Sequence, residues 1–172
     1  IVEFYFKHHG SEYPGYGSIS GAGENSCVLH YITNRKKLEE NDLLLMDMGA
    51  EYHGYTADVT RTLPVDGTFS LEQKLIYELV LKAQLAGISK ARKGNNFYDP
   101  HNAASEVIAD GLVKLGIISE PSQVKKYFNH GTSHYLGMEV HDPGSYSSLK
   151  PGMVITVEPG IYIPEGSKCD KK

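Results

Sequence analysis

The sequence predicts an α+β fold in which an antiparallel sheet is flanked by helices. Three observations carry that expectation. Leu43–Thr62 (LLLMDMGAEYHGYTADVTRT) reads as two strands joined by a tight turn. Two stretches with apolar residues at helical spacing follow it. A further acid-bearing strand pattern, Pro151–Ile163 (PGMVITVEPGIYI), comes after them. Strand, strand, helix, helix, strand is not the regular βαβ alternation of a doubly wound sheet, and no tandem repeat of fixed period is present.

Ile1–His30 is rich in Gly, Ser and Tyr. SEYPGYGSISGAGENS holds enough breakers to be mostly loop, with short extended pieces expected at IVEFYF and CVLHYI. His30 then ends a strand, and a partly exposed strand histidine is its plain structural reading. Asn34–Asp42 is a charged connector whose charges need only solvent.

In the hairpin the strands are Leu43–Ala50 and Tyr55–Thr62. A turn centred on Tyr52-His53, with Gly54 available for an unusual dihedral, puts Asp47 directly opposite Asp58. Directly opposed side chains share a face, with Cβ atoms about 4.5–5.5 Å apart, and like charges there are destabilising. A divalent cation between them is one resolution. A surface hairpin with solvated aspartates is the other, because a one-residue slip reverses a strand's faces. His53, in the turn, reads as a bystander.

Ser70 and Gln73 have capping-box spacing, and Leu71, Leu75, Ile76, Leu79, Val80, Ala83 and Ala86 form the core stripe of a helix running to about Ala91. A second helix starts at Asp99 with Pro100 in its first turn and buries Ala104, Val107, Ile108, Gly111, Leu112 and Leu115; Gly116 fits a C-terminal cap. Pro121–Phe128 is a short helix or a loop. Asn129–Pro143 (NHGTSHYLGMEVHDP) gathers three histidines and two acids. In the closing strand Val154, Thr156 and Glu158 share one face and Met153, Ile155 and Val157 the other. The tail EGSKCDKK has no strand character.

A chain of 172 residues suits one domain. A net charge of −4 argues against a nucleic-acid or anionic-membrane binder, and no apolar run approaches a membrane span. Two cysteines make no disulfide framework, so a reducing cytoplasm is expected. With Ile1 in place of an initiating methionine, the chain is expected to be part of a longer product.

Asp47, Asp58, His134 and Glu158 together offer three carboxylates and one imidazole. That set is too rich for a structural zinc, and it suits two divalent ions about 3.5–4 Å apart, hence metal-assisted hydrolysis; acids and histidines scattered over a hundred residues with no common site are the other reading.

The stretches VLHY (28–31), LLLMDMGAEYHGYTADVTRTLPVDGTF (43–69), NHGTSHYLGMEVHD (129–142) and PGMVITVEPGIYI (151–163) together resemble the pita-bread (creatinase/aminopeptidase) metallopeptidases. Within them they are most similar to the Xaa-Pro aminopeptidases (aminopeptidase P). The resemblance implies a curved antiparallel sheet flanked by helices. It also implies removal of the N-terminal residue from peptides with proline second, by a hydroxide held between two divalent metal ions. Manganese is expected, with cobalt, iron and zinc as alternatives. Asp47 would hold one ion, Asp58 would bridge both, and His134 and Glu158 would hold the other, with Glu158 also handling the proton of the attacking hydroxide. His30 and His141 would contact substrate and stabilise the tetrahedral intermediate. His130 would line the proline side, a structural turn histidine being its other reading.

The family's fifth ligand, a glutamate in an Arg-x-Glu-Asp strand, has no counterpart up to Lys172, and neither Glu165 nor Asp170 has that context. Residues 1–172 therefore read as a single partial catalytic domain, incomplete at its C-terminus and without the family's N-terminal domain. A homo-oligomer is expected for the full-length protein. A prolidase acting on Xaa-Pro dipeptides and a non-catalytic peptide-binding module are the rival readings.

Overall fold

The first seven-residue helix, α1 (Val2–His8), forms where an extended piece was expected. Its charges explain the difference. Glu3 lies in the first turn and Lys7 and His8 in the last, complementing the helix dipole, and Phe4 stacks on His8 one turn on at 5.9 Å. The computed structural model describes residues 1–167 and 169, so the expectations for Asp170 and Lys172 lie outside the described residues.

Two compact units make up the chain, Ile1–Phe69 with Tyr135–Gly144, and Ser70–His134 with the residues from Ser145 on. The first is built on an antiparallel sheet in the order β1 (Ile19–Ala22), β2 (Leu43–Met48), β5 (Val59–Pro64). The edge strand β1 falls inside the stretch expected to be loop, because Ile19 and Ala22 are the buried residues there. Of Cys27–Ile32, expected to be the strand, Cys27 ends a 3-10 turn over Gly23–Cys27 and the rest is irregular, with Val28 and Leu29 exposed. His30 is consequently a surface residue outside any strand.

The hairpin forms, with a corrected register. Its tip is the two-residue ladder of β3 (Glu51–Tyr52) and β4 (Tyr55–Thr56), closed by His53 and Gly54 at φ +50° and +83°. Two positive φ values in a two-residue loop are the type I′ geometry that matches strand twist. The turn is therefore centred one residue later than expected, and the partner of Asp47 becomes Thr60 instead of Asp58. A two-residue shift preserves faces, so Asp47 and Asp58 remain on one face as diagonal neighbours. Buried Glu51, 4% exposed, pins the tip: its Oε1 accepts the Gly54 N–H at 2.5 Å.

In the second unit, α2 (Leu71–Lys90) begins at the expected capping box. Ser70 Oγ accepts the Gln73 N–H at 3.2 Å, and Gln73 Oε1 accepts the Ser70 N–H at 2.9 Å. Its buried residues are Leu79, Ala83 and Gly87; Leu71 at 71% and Leu75 at 43% exposure leave the N-terminal part of the expected stripe outside the core. Helix α3 (Asp99–Lys114) buries Ala104, Ile108 and Leu112 completely, whereas Leu115 is exposed. Gly111 lets α3 approach the Leu79 side chain where a Cβ would collide, and Gly116 ends the helix at φ +69°. Ile118, Tyr127 and Phe128 complete this core.

Pro121–Lys126 is a short 3-10 helix. Pro151–Ile163 belongs to no named strand. It is an extended segment whose Thr156 N–H and Glu158 N–H donate to the carbonyls of His134 (3.0 Å) and Thr132 (2.9 Å). No described helix is long and apolar enough to cross a membrane.

Candidate metal centre

In the first unit, Asp47 sits in the middle strand of the sheet and Asp58 at the start of the run into β5. The Tyr16 hydroxyl donates to Asp47 Oδ1 at 2.5 Å and lies 3.3 Å from Asp58 Oδ1. Two carboxylates thus converge on one hydroxyl oxygen. The loop carrying Tyr16 is fixed by a bridge between Pro14 and Ala50 and by the Gly15 N–H donating to the Gly49 carbonyl at 2.9 Å. Gly49 makes room: a Cβ there would overlap the Ala57 carbonyl and come within 2.8 Å of the Tyr16 ring. Burial, then the hydrogen bond and charge of Asp47, then Asp58, push the Tyr16 pKa well above the ordinary tyrosine value. Tyr16 is therefore a fixed proton donor to the aspartates at any ordinary pH.

In the second unit, His134 Nε2 lies 2.9 Å from Glu158 Oε1. The Thr156 hydroxyl donates to the same Oε1 at 2.9 Å and accepts the His134 N–H at 3.0 Å. Beneath this pair, fully buried Thr132 presents its hydroxyl to His101 Nδ1 at 3.0 Å. Burial, and then the proximity of His130 and Lys125, lower the His101 pKa. His130 borders a cleft of about 400 Å³ lined also by Phe97, Tyr98, His101 and Phe128. Its Nε2 pairs with the Tyr162 hydroxyl at 3.0 Å and its Nδ1 with the Gly131 carbonyl at 2.7 Å.

The structure therefore brings Asp47 to Asp58, and His134 to Glu158. His141 is exposed in the first unit, on a segment closed by the bridge between Tyr135 and Asp142, and His30 is exposed in the same unit. Tyr16, Thr156 and Tyr162 were missed in the sequence. For Thr156 the signal was present, since it shares the Glu158 face; Tyr16, in a Gly-rich loop, gave none.

The donor set fits a divalent cation. Both aspartates offer oxygen and are held for a common neighbour, and an imidazole nitrogen beside a carboxylate oxygen adds affinity for first-row transition metals. Neither pair contains sulfur, which speaks against a thiolate site.

Comparison with known proteins agrees. The chain matches metallopeptidase family M24 over residues 1–170. It is 42% identical over 170 residues to the Xaa-Pro aminopeptidase of Escherichia coli (strain K12), an alignment covering 92% of this chain and 38% of that protein. It is 47% identical over 164 residues to Xaa-Pro aminopeptidase 1 of Streptomyces coelicolor, covering 87% of this chain and 33% of the relative. Zinc-substituted E. coli aminopeptidase P in complex with product superposes with a TM-score of 0.94 at 39% identity, covering 98% of this chain and 41% of that one. The chain thus spans about two fifths or less of the length of the relatives it matches. Its fold class is the pita-bread α+β fold, and the chain belongs to metallopeptidase family M24.

Proposed function

We propose that the protein containing this chain is a metallo-aminopeptidase that removes the N-terminal residue from peptides with proline in second place. The observation that carries the reading is the convergence of Asp47 and Asp58 on one hydroxyl within a chain that matches the metallopeptidase family along nearly its whole length. Asp47, Asp58, His134 and Glu158 are the proposed ligands of two divalent ions. The ions would supply a Lewis acid for the peptide carbonyl and lower the pKa of the attacking water.

The chain's own groups have the following proposed roles. Glu158 takes a proton from the attacking water and delivers it to the departing proline nitrogen. Unprotonated, that nitrogen would have to leave as an amide anion, so the C–N bond breaks only as the nitrogen gains a proton. His30 and His141 donate hydrogen bonds to the carbonyl oxygen as charge develops on it. His130, paired with Tyr162, lines the side that accepts the proline ring. Manganese as the metal is part of the same proposal, supported by the excess of oxygen ligands. Cytoplasmic residence rests on the low cysteine count. A homo-oligomeric full-length protein is carried over from the resemblance.

The test uses the full-length protein loaded with Mn(II). It should release the first residue of an Xaa-Pro tripeptide, and Asp58→Ala should bring turnover below detection while the protein stays folded. Turnover of Xaa-Pro dipeptides alone would replace the proposal with a prolidase. A folded, metal-loaded protein that cleaves neither substrate would sink it.

A further inference from the structure

The hydrogen bonds between His134 and Thr156 are not those of a regular antiparallel pair. Thr156 N–H donates to the His134 carbonyl at 3.0 Å, as a ladder requires. The His134 N–H goes to the Thr156 hydroxyl, also at 3.0 Å, where a regular ladder would return it to the carbonyl. A threonine hydroxyl has one proton and two lone pairs. With a lone pair occupied by the His134 N–H, its proton points at Glu158 Oε1, 2.9 Å away. One side chain therefore touches both residues of the pair, the backbone of one and the carboxylate of the other.

We infer that Thr156 is a positioning residue for the metal centre, its hydroxyl setting the orientation of the Glu158 carboxylate relative to the His134 imidazole. The backbone of Glu158 is already fixed by its N–H bond to the Thr132 carbonyl at 2.9 Å, and the neighbouring Val157 carbonyl accepts from Gln84 Nε2 at 3.3 Å. What the backbone leaves loose is the Glu158 side chain, which has three rotatable bonds and a partly exposed head. The Thr156 proton restrains that head, and through the shared Oε1 it restrains the distance to His134 Nε2. It also makes Oε1 the more strongly hydrogen-bonded of the two carboxylate oxygens. Partners that orient ligands in this way typically account for about 10–100-fold in metal affinity. The inference rests on the proposal that His134 and Glu158 are metal ligands.

The experiment is a titration of Mn(II) into the full-length protein, read by the electron paramagnetic resonance of free Mn(II), for the wild type, Thr156→Ser, Thr156→Val and Thr156→Ala. Serine keeps the hydroxyl; valine keeps the shape without it; alanine keeps neither and serves if valine disturbs the packing. Melting in chelator reports the fold of each variant separately. We expect Thr156→Ser to bind within about threefold of the wild type, and the hydroxyl-free variants to bind about 10–100-fold more weakly. Equal losses in Thr156→Ser and the hydroxyl-free variants would assign the effect to packing and overturn the inference. So would unchanged affinity in both hydroxyl-free variants, leaving the proposed ligands intact. A wild type that binds no Mn(II) would overturn the ligand assignment itself.

Discussion

Gly49→Ala should open the hairpin from within. The perturbation is one methyl group at a position where φ is unremarkable, so the cost is steric and not conformational. The added Cβ would overlap the Ala57 carbonyl oxygen and lie 2.8 Å from Cε1 of Tyr16. The Ala57 carbonyl cannot give way alone, because the N–H of the same residue donates to the Ala50 carbonyl at 2.8 Å. Separating the strands there loses that bond, about 0.5–1.5 kcal/mol, and forced overpacking adds about 1–3 kcal/mol. A destabilisation of about 1.5–4.5 kcal/mol follows, or roughly 3–18 °C in Tm for a chain of this size. Gly67→Ala is the comparison: it has open space but φ +75°, so it should lose only the dihedral cost of about 1–2 kcal/mol. Thermal melts give the totals, and amide hydrogen exchange at Ala57 shows where the loss occurs. A Gly49→Ala protein within about 0.5 kcal/mol of the wild type, with Ala57 still protected, would refute the reasoning.

Tyr16→Phe removes the hydroxyl that lies between Asp47 and Asp58, and should destabilise the metal-free protein by about 1.5–3 kcal/mol, the range for a hydrogen bond to a charged group. Saturating divalent metal should narrow that difference, and denaturation with and without chelator checks it; equal losses in both conditions count against a shared cation site. His101→Gln should reduce acid sensitivity. The folded pKa of His101 lies below its unfolded value of about 6.5, so the unfolded chain binds the extra proton first, and the stability His101 contributes is present above about pH 6.5 and lost as pH falls through the folded value. Urea midpoints at several pH values on either side of 6.5 should fall less steeply for the variant than for the wild type, and identical slopes would contradict this account.

The parts of the fold legible in the sequence were those set by local chemistry. The capping box at Ser70 is a two-residue interaction, and Gly116 meets a single dihedral requirement, so each could be read in place. Asp47 and Asp58 share a face because strand alternation is rigid, and an error in the turn changed their pairing without separating them. What could not be read was settled by distant partners. Whether β1 lies at Ile19–Ala22 or eight residues later depends on which apolar residues find cover, and both stretches are extended-compatible. Leu71 and Leu75 obey the helical period as well as Leu79 does, but α3 runs past only part of α2. Tyr16 was invisible because its role comes from Pro14 and Gly15 pairing against a strand more than thirty residues away.

The register set by His53 and Gly54 also constrains how this sequence can change. The spacing between the two aspartates is measured through the loop, so the loop's length matters more than its side chains. His53→Asn or His53→Gly would keep φ positive and keep the count. Inserting or deleting one residue there would turn Asp58 to the opposite face from Asp47 without altering a single candidate ligand. Such a chain would retain every signature residue of its family and still lose the shared face of its two aspartates, so among natural variants of this protein a loop of unchanged length is a better marker of the proposed site than an intact set of candidate ligands.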